Sequence, residues 1–152
     1  MSPAAFIDAN VPIYASGRSH PSKEPCIRIL RLIAEHPLSF VTDVEVLQEL
    51  MHRYRSSERW TLGKEVLRGF GELMHDRIEP VLARDIDLAT TLADHHPRVS
   101  SRDLVHAAVM ERLGTDRIIS ADTDFDRLPG LTRLDPDRVQ DWSDAVLARE
   151  DR

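Results

Sequence analysis

Short apolar runs alternate with longer stretches of helical periodicity along the whole chain, and few folds accept that order. Ala4 to Asp8, Ser39 to Thr42, Arg77 to Leu82, Arg117 to Ser120 and Leu131 to Leu134 read as strands. Between them, helices are expected at about Ser22 to Glu35, Asp43 to Ser57, Glu58 to Met74, Asp85 to His95 and Ser101 to Leu113. A helical turn with Pro12 near its start and a last helix from about Val139 to Arg149 complete the pattern. Strands separated by helices imply an α/β sandwich around a mainly parallel sheet of roughly four to five strands. Pro80 cannot donate to a sheet ladder, so its strand belongs at an edge. Gly63, Gly69 and Gly71 weaken the case for the helix from Glu58 to Met74, whereas Gly114 is placed to cap the one from Ser101 to Leu113.

With 152 residues, 41% hydrophobic and 30% charged, the chain is expected to form one domain over 1–152 around one core. No apolar run approaches the roughly 18 residues of a membrane span, and the start lacks a basic region followed by an apolar one, so a cytoplasmic protein is expected. Cys26 is the only cysteine, which excludes an internal disulfide, and its apolar neighbours point to a packed thiol. A net charge of −6 argues against a protein that grips nucleic acid by charge alone. One or two bound divalent cations would move that balance to −4 or −2, so local clusters matter more than the total. The most basic cluster is His52-Arg53-Tyr54-Arg55 with Arg59 behind it, and Arg28 with Arg31 is a second.

In parallel α/β sheets, ligands sit beyond the carboxyl ends of the strands. Asp8 and Asp122 occupy such positions, although either could equally be a turn former or a helix cap. Asp103 lies near the start of the apolar helix Leu104 to Met110, where a carboxylate needs a partner such as a shared metal ion. Ser100-Ser101-Arg102-Asp103 also fits a capping box, and spacing does not choose between the two. Glu49 lies away from the apolar stripe of Val44, Leu47, Leu50 and Met51, and a surface pairing with Arg53 is the simpler reading. Periodicity does not separate Glu49 from Glu45. The acidic run Asp122 to Asp126 is no EF-hand, because Arg127 and Arg133 stand where that loop needs glycine and an acid. A haloacid-type phosphatase would have a second Asp where this chain has Asn10. His52 and His106 receive no role.

Taken together, Phe6-Ile7-Asp8-Ala9-Asn10, Val46-Leu47-Gln48-Glu49-Leu50, Ser101-Arg102-Asp103-Leu104-Val105-His106 and Ile119-Ser120-Ala121-Asp122-Thr123-Asp124-Phe125-Asp126 resemble the motifs of the PIN-domain family, in order and over nearly the whole chain. The resemblance implies a PIN-like α/β/α sandwich and favours Glu49 over Glu45. It implies that Asp8, Glu49, Asp103 and Asp122 converge as metal ligands and catalytic residues, with Asn10 and Ser120 as polar supports and Asp124 and Asp126 as auxiliaries. The ion would be Mg²⁺, with Mn²⁺ as the alternative, and the reaction hydrolysis of RNA. The size of the chain is similar to that of VapC-type toxins, which implies a homodimer and a cognate antitoxin. The rival readings are a PIN-fold protein that binds RNA or a partner without cutting, and a metal-dependent DNA nuclease or phosphatase.

Overall fold

The structure is a computed structural model and describes residues 2–148. Five strands, β1 (Ala5–Ile7), β2 (Phe40–Asp43), β3 (Ile78–Glu79), β4 (Arg117–Ile119) and β5 (Thr132–Leu134), form one sheet in the order β3-β2-β1-β4-β5. Every neighbouring pair is parallel. Ala5, Phe6 and Ile7 of the central strand are fully buried, as expected of a strand covered on both faces. The strand expected from Arg77 to Leu82 shrinks to two residues at the sheet edge, because Pro80 ends its ladder.

Among the described residues seven helices flank the sheet. They are α1 (Asn10–Ser16), α2 (Lys23–Glu35), α3 (Val44–Ser56), α4 (Trp60–Leu73), α5 (Ala83–His95), α6 (Ser101–Leu113) and α7 (Val139–Leu147). The expected end of the last helix at Arg149 lies outside the described residues. Among the described residues no helix is long and apolar enough to cross a membrane.

Successive helices pack as pairs: α1 on α2, α3 on α4, and α5 on α6. The α3–α4 pair depends on Gly63, where a Cβ would lie 2.2 Å from Tyr54 Cβ. The glycine that weakens a helix on paper is the one that lets these two backbones approach. Helix α6 runs through the core, burying Leu104 and His106 to Met110. It ends at Gly114, whose φ of 73° is left-handed, with Gly114 N–H on the Glu111 carbonyl and Thr115 N–H on the Met110 carbonyl.

The topology decides which side chains meet. Because β1 lies between β2 and β4, their carboxyl ends bring Asp8, Asp43 and Ser120 side by side. The Thr42 hydroxyl donates to the Ile7 carbonyl at 2.9 Å and ties the ends of β2 and β1 together.

Candidate metal centre

Asp8 follows β1 directly and is only 4% exposed. Its Oδ1 accepts the Ala9 N–H at 2.8 Å. Its Oδ2 accepts the Ser120 hydroxyl at 2.6 Å and Asn10 Nδ2 at 3.1 Å. Asn10 and Ser120 are themselves held, since Asn10 Nδ2 donates to Ser120 Oγ, Ala121 N–H to Asn10 Oδ1, and Asp122 N–H to Ser120 Oγ. The chain leaving β4 is thereby stitched to the chain leaving β1, and Asp8 has little rotational freedom left.

The other three acids arrive from three different elements. Asp103 sits in the first turn of α6, where its N–H donates to the Ser100 hydroxyl at 3.2 Å. Among the described residues the return bond of a capping box, from Ser100 N–H to Asp103, does not form. The carboxyl is aimed at Asp122 instead. Burial, the hydrogen bond with Asp122 and the charges of Asp122 and Asp8 push it from 3.8 up to about 8, against a smaller opposing effect of His106. Asp122 both caps and faces Asp103: its Oδ1 accepts the Asp124 N–H at 2.9 Å and starts a 3₁₀ turn at Thr123–Arg127.

Glu49 projects from α3 and is half-buried. Its partner is Arg102 Nη1 at 3.2 Å, not Arg53, and the same guanidinium holds Glu45 through Nε at 3.3 Å. Burial and the Asp8 charge raise the Glu49 carboxyl above its ordinary value, with Arg102 and His106 acting in the opposite direction. Donor atoms of Asp8, Glu49 and His106 fall within 4.8 Å of one another, as do those of Asp103, Asp122 and Asp124. The Asp8 charge acts on both Glu49 and Asp103 and so couples the two groups. Asp126 is directed elsewhere and pairs with Arg133 at 3.0 Å. His52 lies on the exposed side of α3, outside both groups.

His106 is the functional neighbour that sequence reasoning left without a role. It is fully buried, one turn beyond Asp103 on α6, and its Nδ1 lies 2.8 Å from Asp43 Oδ2. Its Nε2 has no hydrogen-bond partner and points towards Asp8 Oδ1 at 3.9 Å. Burial pulls the imidazole pKa down, but the hydrogen bond and charge of Asp43, helped by Asp8 and Glu49, outweigh it and leave about 9. The ring is therefore a cation at neutral pH, a counter-charge inside a ring of acids. A histidine in the middle of an apolar run was the one available signal, since burial of an imidazole calls for a partner.

A buried acid whose carboxyl is raised by a neighbouring one is short of positive charge. The carboxylate oxygens of each group suit a hard divalent cation, and in the first of them Asp8 is held rigid by three donors. An acid pair such as Asp103 and Asp122 would lose its mutual repulsion when such a cation is bound.

The sequence matches the PIN domain over residues 5–131. It is 34% identical over 132 residues to the ribonuclease VapC13 of Mycobacterium tuberculosis, spanning 85% of this chain and 98% of that protein. It is 38% identical over 117 residues to the ribonuclease VapC23 of the same organism, spanning 77% and 91%. VapBC2 from Rickettsia felis, solved on a promoter DNA fragment, contains a chain of the same fold, with a TM-score of 0.65 at 18% identity over 86% of this chain and 98% of that one. The chain belongs to the PIN-domain family. Within that family its homologues are the VapC-type toxins.

Proposed function

We propose that this chain is a Mg²⁺-dependent endoribonuclease, with Mn²⁺ able to substitute, and that it is the toxin of a type II toxin–antitoxin pair acting in the cytoplasm as a homodimer. What supports the reading is that Asp8 and Glu49 fall in one group of possible ligands and Asp103 and Asp122 in a second, together with relatives that are ribonucleases. These four residues would hold the ion, with Asp124 as an auxiliary.

When bound, the ion would activate a water for attack and stabilise charge on the scissile phosphate. Asn10, Ser120 and the Ala9 N–H hold Asp8 in one orientation, so little reorganisation is needed as the ion and phosphate arrive. Arg102 fixes Glu49 at the rim. Burial and Asp122 raise the Asp103 carboxyl, so an ion held there would be bound with release of a proton. An antitoxin arginine reaching the same carboxylates would compete with Mg²⁺ by paired hydrogen bonds.

The test is incubation of purified protein with a mixture of structured RNAs, with Mg²⁺ or with chelator, beside Asp8→Asn. Discrete cleavage by the wild type with Mg²⁺ alone is expected. Equal cleavage in chelator, or by Asp8→Asn, would overturn the assignment. Expression of the wild type without its antitoxin should arrest growth. Unimpaired growth of cells making soluble, RNA-cleaving protein would remove the toxin role and leave the nuclease.

A further inference from the structure

One cavity outside the acidic site has the opposite charge. Between α1, the loop that follows it, and the end of α3 lies a cavity of about 490 Å³ whose walls include Tyr14, Arg18, His20, Arg53, Tyr54 and Arg59. Its size is within the roughly 300–1,000 Å³ range of small-ligand sites. Of its ten lining residues three are arginines and none is acidic, in a chain with 26 acids against 20 lysines and arginines. A solvated surface of that overall composition would be expected to mix carboxylates among the arginines. Among the described residues none of these three guanidinium groups forms an ion pair.

The wall is also held in shape. His20 stacks on Tyr14, with ring centroids 4.6 Å apart and 23° between planes. Its Nδ1 accepts the Ser22 N–H at 3.0 Å, which fixes the ring and leaves Nε2 as a donor. Lys23 Nζ on the Gly17 carbonyl at 2.8 Å closes the loop from the other side. At the end of α3, Glu58 takes the left-handed φ of 58°, with Arg59 N–H on the Tyr54 carbonyl at 2.9 Å and Glu58 N–H on the Arg55 carbonyl at 3.3 Å. This is a helix-ending turn that normally selects glycine. Here it folds Arg59 back, with its guanidinium carbon 6.0 Å from the Tyr54 ring centroid.

The cavity shares a wall with a hollow at the edge of the acidic centre. Arg53 and Ser57 also line a second, smaller hollow whose far wall is Glu49 and Arg102. Glu49 and Arg53 are one helical turn apart, about 6 Å along the axis at ~1.5 Å per residue. A strand bound at the acidic centre would need to extend only about one helical turn along α3 to reach Arg53 of the basic cavity.

We propose that this cavity is a subsite for a single-stranded nucleotide flanking the scissile phosphate of an RNA substrate, with the base on the exposed face of the His20–Tyr14 stack and the phosphates on Arg18, Arg53 and Arg59. Aromatic platforms take unstacked bases, and guanidinium groups grip phosphates by paired hydrogen bonds. The subsite rests on the ribonuclease reading, and it explains how an acidic protein holds a polyanion: the cations are gathered along one track.

The experiment measures binding of a fluorescent single-stranded hexaribonucleotide to protein carrying Asp8→Asn, across a salt series, with cleavage by the Asp8 protein measured in parallel. Arg18→Gln, Arg53→Gln and Arg59→Gln combined should weaken binding at least about tenfold and lower the slope of log affinity against log salt by about 2, at ~0.7 per lost phosphate contact on a single strand. His20→Ala should weaken binding about fivefold or more with the slope unchanged. Arg28→Gln with Arg31→Gln, on α2, should change neither. Arg18→Glu alone, on an exposed loop, should weaken binding and serves if the triple variant unfolds. Unchanged affinity and slope overturn the subsite and leave the cavity to a protein partner, while continued cleavage keeps the ribonuclease reading. Absence of both cleavage and binding overturns the two together.

Discussion

Asp103→Asn should stabilise the metal-free protein, and by an amount that grows with pH. In the fold, the Asp103 carboxyl is raised from 3.8 to about 8 by burial and by Asp122 and Asp8. A raised carboxyl gives up its proton more readily in the unfolded chain. Stability is therefore lost as pH rises from the ordinary value towards the folded one, and no more is lost above it. At about 1.4 kcal/mol per pH unit, the limit reached by pH 7 is about 4 kcal/mol. The proton is shared with Asp122, so we expect about 2–4 kcal/mol, which for a chain of this size is roughly 5–15 °C in unfolding midpoint. The assay is thermal unfolding of both proteins in chelator from pH 4 to 9. The two curves should meet near pH 4 and diverge to about pH 8, with the variant above. Saturating Mg²⁺ should raise the wild type by about 2.7 kcal/mol at 100 times its dissociation constant and do much less for the variant. A pH-independent difference, or a variant that falls below the wild type throughout, would refute the coupling and make Asp103 a structural cap.

Three further outcomes test other parts of the structure. Gly63→Ala should cost about 1–3 kcal/mol in unfolding, less the ~1 kcal/mol alanine gains in a helix, because its Cβ would meet Tyr54 Cβ. Gly69→Ala and Gly71→Ala in the same helix meet nothing within 4 Å and should gain about 0.5–1 kcal/mol each. Histidine titration by NMR should place His106 near 9, and Asp43→Asn should lower it, since the hydrogen bond and charge that most oppose burial are then gone. The stability that His106 contributes is complete below 6.5 and is lost as pH rises through 9. Ser120→Ala removes the 2.6 Å hydrogen bond to Asp8 and should weaken Mg²⁺ binding roughly 10–100-fold by calorimetry while the fold persists.

Local patterning carried most of the architecture. The order of strands and helices, the edge position of the strand containing Pro80 and the cap at Gly114 each follow from spacing within a few residues. Contacts between distant segments were less legible. Arg53 is the natural neighbour of Glu49 on a helix surface, yet Arg102 of α6 takes that carboxylate because α3 and α6 lie side by side. Asp43 and His106 are 63 residues apart, and no periodicity announces a pair that topology alone creates. Gly63 reads as a defect in a helix and is a contact between two. Nor does spacing distinguish an acid that caps from one that faces other acids, and Asp122 does both.

Asp43 has one carboxylate and two obligations. Its Oδ1 accepts the Val46 N–H at 2.9 Å and so begins α3, while its Oδ2 holds His106 of α6. The helix that carries Glu49 and the helix that carries Asp103 are thus riveted to a single residue at the end of β2. A substitution that lets α3 drift releases α6 with it, so the spacing of these acids varies as a unit. Divergence in this chain then has a direction: the outer faces of the two helices are free to change, while their separation is held at one place by Asp43 and at another by Arg102 on Glu45 and Glu49.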